Sequence, residues 1–322
     1  MVQLAVDPTN PHCAVTQKAV FAAPEAERAA RVVVGIPTVS RSEIVTETVR
    51  MIAAQTRLPD LVLVCVPDDQ DAGEVARLNL PFPVKVLISA KGLTRQRNRI
   101  LKALKEQDLL LFLDDDFLMA PNYLEEMQRV FDENPDVVLT TGTVIADGIT
   151  GPGLDHVEGA KVLAQGLAKP AGEGMTPAHT GYGCNTAVRI GPILRHQLFF
   201  DERLPLYSWL EDVDFSNRIK HHGRMVRPAS MRGVHLGTKT GRTPGIRLGY
   251  SQVANPFYLI HKGTISRKRA RDLILRNIAS NLRGTVRPVE WADYRGRLRG
   301  NLMALRDVIL RCNDPERILS LG

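Results

Sequence analysis

The sequence predicts an α/β fold: a doubly wound, mostly parallel sheet with helices on both faces, plus a C-terminal helical extension. Three observations carry this. Short runs of β-branched and leucine residues, apolar throughout, recur between Arg31 and Val144. Strands with no polar side belong to sheets covered on both faces. Between them lie stretches whose apolar residues recur at helical spacing, as helices crossing from strand to strand require. Acidic clusters follow directly after two of the runs, at the carboxyl ends where such sheets hold their ligands.

The elements follow in order. Arg31–Ile36 (RVVVGI) stops before Pro37 as a buried strand would. Ser40 and Glu43 have capping-box spacing, and Ile44, Val45, Val49, Ile52 and Ala53 continue a helical face. Leu61–Val66 (LVLVCV) and Val84–Ile88 read as the second and third strands. Thr94 to Gln107 reads as a helix with Ile100, Leu101 and Leu104 on one face. Leu109–Leu113 (LLLFL) is a fourth strand, and Pro121 suits the first turn of a helix carrying Leu124, Met127 and Phe131. Val137–Val144 reads as a fifth strand. Asp147 to Gly183 holds nine glycines and little periodicity, and reads as a long functional loop. A helix is expected near Val213–His222. Past Gly263 the chain reads as helical, with one stripe of Leu273, Ile274, Ile278 and Leu282. A second stripe runs through Trp291, Tyr294, Leu298, Leu302, Leu305 and Ile309.

The 322 residues divide into an extension of unassigned role (1–30), a sheet domain (31–262, in halves 31–146 and 147–262) and a basic helical extension (263–322). The 44% apolar and 24% charged content excludes intrinsic disorder, collagen-like structure and a disulfide-knit miniprotein. No uncharged apolar run approaches the ~20 residues of a spanning helix, and the start has no secretory-signal pattern. Cys13, Cys65, Cys184 and Cys312 are scattered without a CxxC pair, as expected of thiols in a reducing, cytoplasmic compartment. From Lys262 onward 14 Lys/Arg face 6 Asp/Glu, so this tail holds the whole of the +7 net charge. Two readings apply to it. One is peripheral contact with anionic lipid at the inner face of a membrane. The other is the solvated face of a helical cap. Trp291 and Tyr294 fall on the apolar stripe and read as core, so no nucleic acid is expected.

Chemistry is sought just after the strands. Asp114-Asp115-Asp116 ends LLLFL, and three adjacent carboxylates there suit Mg²⁺ or Mn²⁺ on a substrate phosphate; the alternative is a solvated acidic turn. Asp68-Asp69 follows the second strand, where a carboxylate can accept from a base or ribose, or form a turn. Arg95, Arg97 and Asn98 open a helix after Gly92, which suits an anion. Glu211-Asp212 opens another after Tyr207-Ser208-Trp209, either as a general base or as acids favoured at a helix start. His235 lies between Gly233 and Gly237 at an expected strand end. No GxGxxG follows a strand, and neither GxxxxGK[ST] nor GxSxG occurs.

Taken in order, VVVGIPTVSR, LVLVCVPDDQD, GLTRQRNRIL, LLLFLDDDF, GYGCNTAVRIGPI, FDERLPLYSWLEDVDFSNRI and GVHLG resemble the family-2 glycosyltransferases of GT-A fold, over roughly residues 31–237. The resemblance implies an inverting, non-processive hexosyltransferase-type enzyme of polysaccharide or glycoconjugate biosynthesis. Its donor would be a nucleoside-diphosphate sugar and its acceptor a glycan or lipid-linked hydroxyl. It implies that Pro37, Thr38, Asp68 and Asp69 form the nucleotide-binding edge, with Arg97 and Asn98 near base and phosphates. Asp114 and Asp116 would hold the Mn²⁺ or Mg²⁺, joined by His235 as in some members. Asp115 would contact ribose or metal, Gly183 and Asn185 would face the donor sugar, and Asp212 would be the catalytic base. Tyr207 and Trp209, with Glu211, would meet the acceptor. Arg242 is a candidate to cover the diphosphate, within a segment (241–258) outside the aligned motifs. The QxxRW motif and membrane spans of processive synthases are missing. Two rival readings remain: a nucleotidyltransferase, which would release pyrophosphate, and a non-catalytic module of the same fold.

Overall fold

The structure is a computed structural model and describes residues 30–241 and 243–321. The expected N-terminal extension, but for residue 30, and Arg242 lie outside the described residues. The first part of the chain alternates as expected: β1 (Val32–Pro37), α1 (Ser42–Ile52), β2 (Leu61–Val66), β3 (Val84–Ile88), α2 (Leu93–Leu101) and β4 (Leu109–Leu113). Then come β5 (Phe117–Met119), α3 (Tyr123–Glu133), β6 (Val137–Thr141), β7 (Thr143–Asp147), α4 (His156–Leu167) and β8 (Met175–Pro177). They are followed by β9 (Asn185–Arg189), α5 (Ile190–Arg195), α6 (Glu211–Ile219), β10 (Arg224–Pro228) and β11 (Arg232–His235). Three long helices close the chain: α7 (Gly245–Lys262), α8 (Arg267–Val286) and α9 (Tyr294–Ile309).

The main sheet has the order β3-β2-β1-β4-β9-β6-β10-β8. β3, β2, β1 and β4 are parallel, with Val33 opposite Leu61 and Val32 opposite Leu109. β9 runs antiparallel between β4 and β6, β10 is parallel to β6, and β8 lies antiparallel at the edge. The aliphatic strands β1 and β4 are buried throughout, and Val33, Leu63, Leu110 and Phe112 share one core with Ile100 and Leu101 of α2 and Phe215 and Ile219 of α6. A small second sheet, β5-β11-β7, is built where the chain runs on from β4 and β6. It sets His235 on β11 opposite Asp147 on β7.

Several expectations change. No capping box forms at Ser40: the helix starts at Ser42, and Ser40, left-handed at φ 56°, donates its amide to Asp71 instead. The helix from Thr94 ends at Leu101, because Asp108 folds the following turn by accepting from Lys105 N and Arg31. The expected fifth strand is two strands, broken at Gly142, where a Cβ would collide with the Tyr123 hydroxyl. The glycine-rich stretch is not structureless; it contains α4, started by a true capping box between Asp155 and Glu158.

The tail helices form, and their expected stripes face inward only in part: Ile274 is buried, and Leu273, Ile278 and Leu305 pack against the core. Leu302 and Ile309 are 59% and 79% exposed, and Leu282 is also exposed. α9 instead buries Gly300, Asn301, Ala304 and Asp307. Gly300 and Gly249 let α9 and α7 touch backbone to backbone, since a Cβ on either would overlap the other helix's main chain. Asn301 donates to Gly249 O at 2.7 Å, and Asn281 of α8 donates to Asn301 Oδ1 at 2.7 Å and to Gln252 Oε1 at 2.8 Å. Tyr250 donates to Asp307 at 2.7 Å. Trp291 lies in the turn between α8 and α9, not in the core, and is 39% exposed. Among the described residues no helix is long and apolar enough to cross a membrane.

Candidate active site

A cleft of about 650 Å³ opens at the carboxyl ends of β1, β3 and β4, within the size range of small-ligand sites. The turn after β4 brings Asp114, Asp115 and Asp116 into it. Each carboxylate has a different environment. Asp115 accepts from Thr38 Oγ1 at 2.5 Å and Arg41 Nη1 at 2.8 Å; burial pushes its carboxyl up to about 6 although Arg41 pulls the other way. Asp116 accepts from Thr238 N at 2.7 Å and lies 3.4 Å from His235 Nε2. Burial opposes its charge, but the His235 hydrogen bond and the His235 and Arg41 charges hold it at about 2. Asp114 is the most open of the three, with its amide tied to Cys184 O.

His235 sits between two carboxylates. Its Nδ1 is 2.9 Å from Asp147 Oδ1, and Asp147 Oδ2 accepts from Tyr182 OH at 2.6 Å. Burial disfavours the charged imidazole, yet the two carboxylates raise it to about 10. One ligand atom each from Asp114, Asp116 and His235 lie within 4.8 Å of one another. Two carboxylates and an imidazole are the donor set of a hard divalent cation such as Mn²⁺ or Mg²⁺. Nδ1 is engaged by Asp147 and Nε2 faces Asp116, where a bound cation would take the place of the imidazolium proton, so the residues fit such an ion.

The other candidates divide into two groups. Pro37, Thr38, Tyr207 and Trp209 line the cleft with the aspartates and His235. Asp68 and Asp69 lie in an exposed turn instead, where Asp68 caps the turn by accepting from Gln70 N. Arg97 is buried beneath Asp114, pairing with Glu211 and donating to Gly183 O at 2.8 Å, its guanidinium held over Phe112 and Phe200. There it braces the Glu211 turn, and it is not among the residues that line the cleft. Asn98 is likewise structural: its amide serves Phe200 and Glu202. Asn185 is buried in β9, bonded to Thr141 and facing Gly142 O.

Glu211 and Asp212 open α6 after a strained approach. Leu206, Ser208 and Leu210 all have positive φ (58°, 58° and 74°). Such non-glycine residues cost of order 1–3 kcal/mol each and persist where the surroundings enforce them. Leu206, Tyr207 and Trp209 of this stretch line the cleft. Burial pushes Glu211 up to about 8, with the Asp212 charge adding to it, and burial also raises Asp212. Asp212 Oδ1 accepts from Val213 N at 2.7 Å.

Residues absent from the sequence reading also shape the site. Arg41 bridges Asp115 to Thr240 O, and Gln96 fixes the ends of β1 and β2 by donating to Thr38 O and Cys65 O. Arg41 was legible as the single cation after the first strand; Gln96 carried no signal. Trp291, Arg247 and Arg297 line the cleft from the C-terminal helices.

Fold and site together define an α/β protein with a cleft at the carboxyl ends of its strands and a carboxylate–imidazole centre in it. The glycosyl transferase family 2 model matches residues 33–191, just under half of the chain, and this stretch belongs to that family. No curated protein matches the chain in sequence. Among solved structures the chain is similar to S. aureus TarS 1-349, at 17% identity and TM-score 0.54, covering 90% of this chain and 83% of that one. It is similar to the mannosyltransferase PcManGT from Pyrobaculum calidifontis, in complex with GDP-Man and Mn²⁺, at 15% identity and TM-score 0.52, covering 95% and 92%. The chain spans 36% of the longer TarS structure. At these identities the likeness establishes a shared GT-A-type fold.

Proposed function

We propose that the chain is a metal-dependent, inverting glycosyltransferase that moves one sugar from a nucleoside-diphosphate sugar to a glycan or lipid-linked hydroxyl. The observation that carries this is the convergence of Asp114, Asp116 and His235 in the cleft that Pro37, Thr38 and Asp115 also line. Its support includes TarS 1-349 in complex with UDP-GlcNAc and the GDP-Man and Mn²⁺ complex of PcManGT, both of similar fold. In this reading residues 31–146 bind the nucleotide, 147–262 meet the acceptor, and 263–322 form the extension. The exposed basic turn Arg267, Lys268, Arg269 and Arg271 of α8 supports peripheral contact with anionic lipid as the route to a lipid-linked acceptor.

A divalent cation on Asp114 and Asp116, with His235, would neutralise charge developing on the departing diphosphate. The chain's own groups do the rest. Thr38 and Arg41 fix Asp115 towards the nucleotide edge. Arg97 holds Glu211 and the Gly183 carbonyl, and so braces the turn that carries Asp212. Asp212, its carboxyl raised by burial, accepts the acceptor hydroxyl proton as that oxygen attacks the anomeric carbon from the face opposite the leaving group. Tyr207 and Trp209 offer faces on which an acceptor ring stacks.

The test uses whichever nucleotide sugar raises the melting temperature of the protein with Mn²⁺ present. Asp212→Asn should keep that shift and lose turnover by on the order of 10²–10⁴-fold. Nucleoside diphosphate, not pyrophosphate, should be released by the wild type. Equal loss of donor affinity and turnover in Asp212→Asn would make Asp212 a structural helix-start carboxylate and overturn its role.

A further inference from the structure

We propose that Asp147 and Tyr182 are positioning residues of the metal centre, which fix His235 so that its Nε2, and not its Nδ1, is offered between Asp114 and Asp116. The inference rests on the metal reading above and names two residues to which the sequence analysis gave no role in the site.

The geometry is a chain of three side chains, from β7, β11 and the loop before β9. β7 and β11 run parallel with Asp147 opposite His235, so the two side chains meet by register. A carboxylate only accepts, so the 2.9 Å contact from Asp147 Oδ1 places the hydrogen on Nδ1. That leaves Nε2, 3.4 Å from Asp116 Oδ1, as the nitrogen facing the aspartates. Asp147 cannot swing away, because Oδ1 also accepts from Ile149 N at 3.0 Å and Oδ2 from Tyr182 OH at 2.6 Å.

Tyr182 is itself anchored. Its amide donates to Thr141 Oγ1 at 3.0 Å, and its carbonyl accepts from Asn185 N and Thr186 Oγ1. Its ring stands edge-on to the imidazole, 6.1 Å between centroids, so it blocks rotation of His235 as well as holding Asp147. This also gives the buried Asn185 and Thr141 a purpose: they fix the turn from which Tyr182 reaches across. A metal-bound histidine whose second nitrogen donates to a carboxylate is held in one tautomer and one orientation, and losing that partner costs about 10–100-fold in metal affinity.

The test is Mn²⁺ titration of the full chain, read by the EPR signal of free Mn²⁺, with no sugar present. Metal-free melting temperatures are recorded alongside. Wild type should bind Mn²⁺, and Asp147→Asn should bind it about 10–100-fold more weakly with a metal-free melting temperature close to wild type. Tyr182→Phe, which keeps the ring but not the hydroxyl, should weaken binding by less, and Asp147→Glu should restore part of it. If Asp147→Asn fails to fold, Tyr182→Phe decides alone. Wild-type Mn²⁺ affinity in the folded variants would overturn the positioning role while leaving the metal centre standing. No Mn²⁺ binding by the wild type would overturn the metal reading itself, and this inference with it.

Discussion

From β1 to β9 the fully buried side chains of the main sheet include Val33, Leu63, Leu110, Phe112 and Val188. Between α7, α8 and α9 they include Asn281, Asn301 and Asp307, with Tyr250 beside them. The first region closes by removing apolar surface from water, which needs no partner atoms in particular. The second has a smaller apolar cluster around Val253, Ile274, Ala304 and Ile318, and adds backbone contact at Gly249 and Gly300 and an amide network in which each buried group needs its own partner. The difference has a functional side. Gln252 belongs to that network and also lines the cleft, so the helices present Arg247, Trp291 and Arg297 to the site from a specified, not merely collapsed, interface.

This contrast can be broken by two substitutions one residue apart. Asn301→Ala should destabilise the chain by about 1–3 kcal/mol, because Asn281 and the Gly249 carbonyl lose a buried partner. Leu302→Lys, on the stripe that helical periodicity favoured, should change stability by no more than about 0.5 kcal/mol, as a surface exchange does. Denaturant unfolding measures both. Equal costs, or a larger one at Leu302, would mean that the helices pack through their leucines after all.

The same contrast explains what was legible. A strand buried on both faces has to be written as a continuous apolar run, so LVLVCV and LLLFL declared themselves, and the acidic turn after β4 stood out at a place where ligands bind. The α7–α9 contact is written in glycines and amides, which by composition look like loop or surface, so the stripe of Leu302 and Ile309 pointed outward instead of in. In the site, the aspartates and His235 were legible because their chemistry is unusual after a strand. Arg97, Asn98 and Asn185 carry the same polar chemistry but spend it on the scaffold, a choice made by tertiary contacts with Glu211, Phe200 and Thr141. Asp147 was invisible for the converse reason: only strand register brings it to His235. The helix α4 was missed although its Asp155-x-x-Glu158 start was readable, because the glycines around it dominated the reading.

The central claim is that Asp114, Asp116 and His235 hold a divalent ion to which a nucleoside diphosphate binds. Calorimetric titration of UDP and of GDP into the protein, with Mn²⁺ and then with EDTA, tests it most directly, using Asp116→Asn as the paired variant. The account predicts saturable binding of at least one diphosphate with Mn²⁺, lost in EDTA and strongly weakened in Asp116→Asn. Binding of the same strength in EDTA, or in Asp116→Asn, would contradict it.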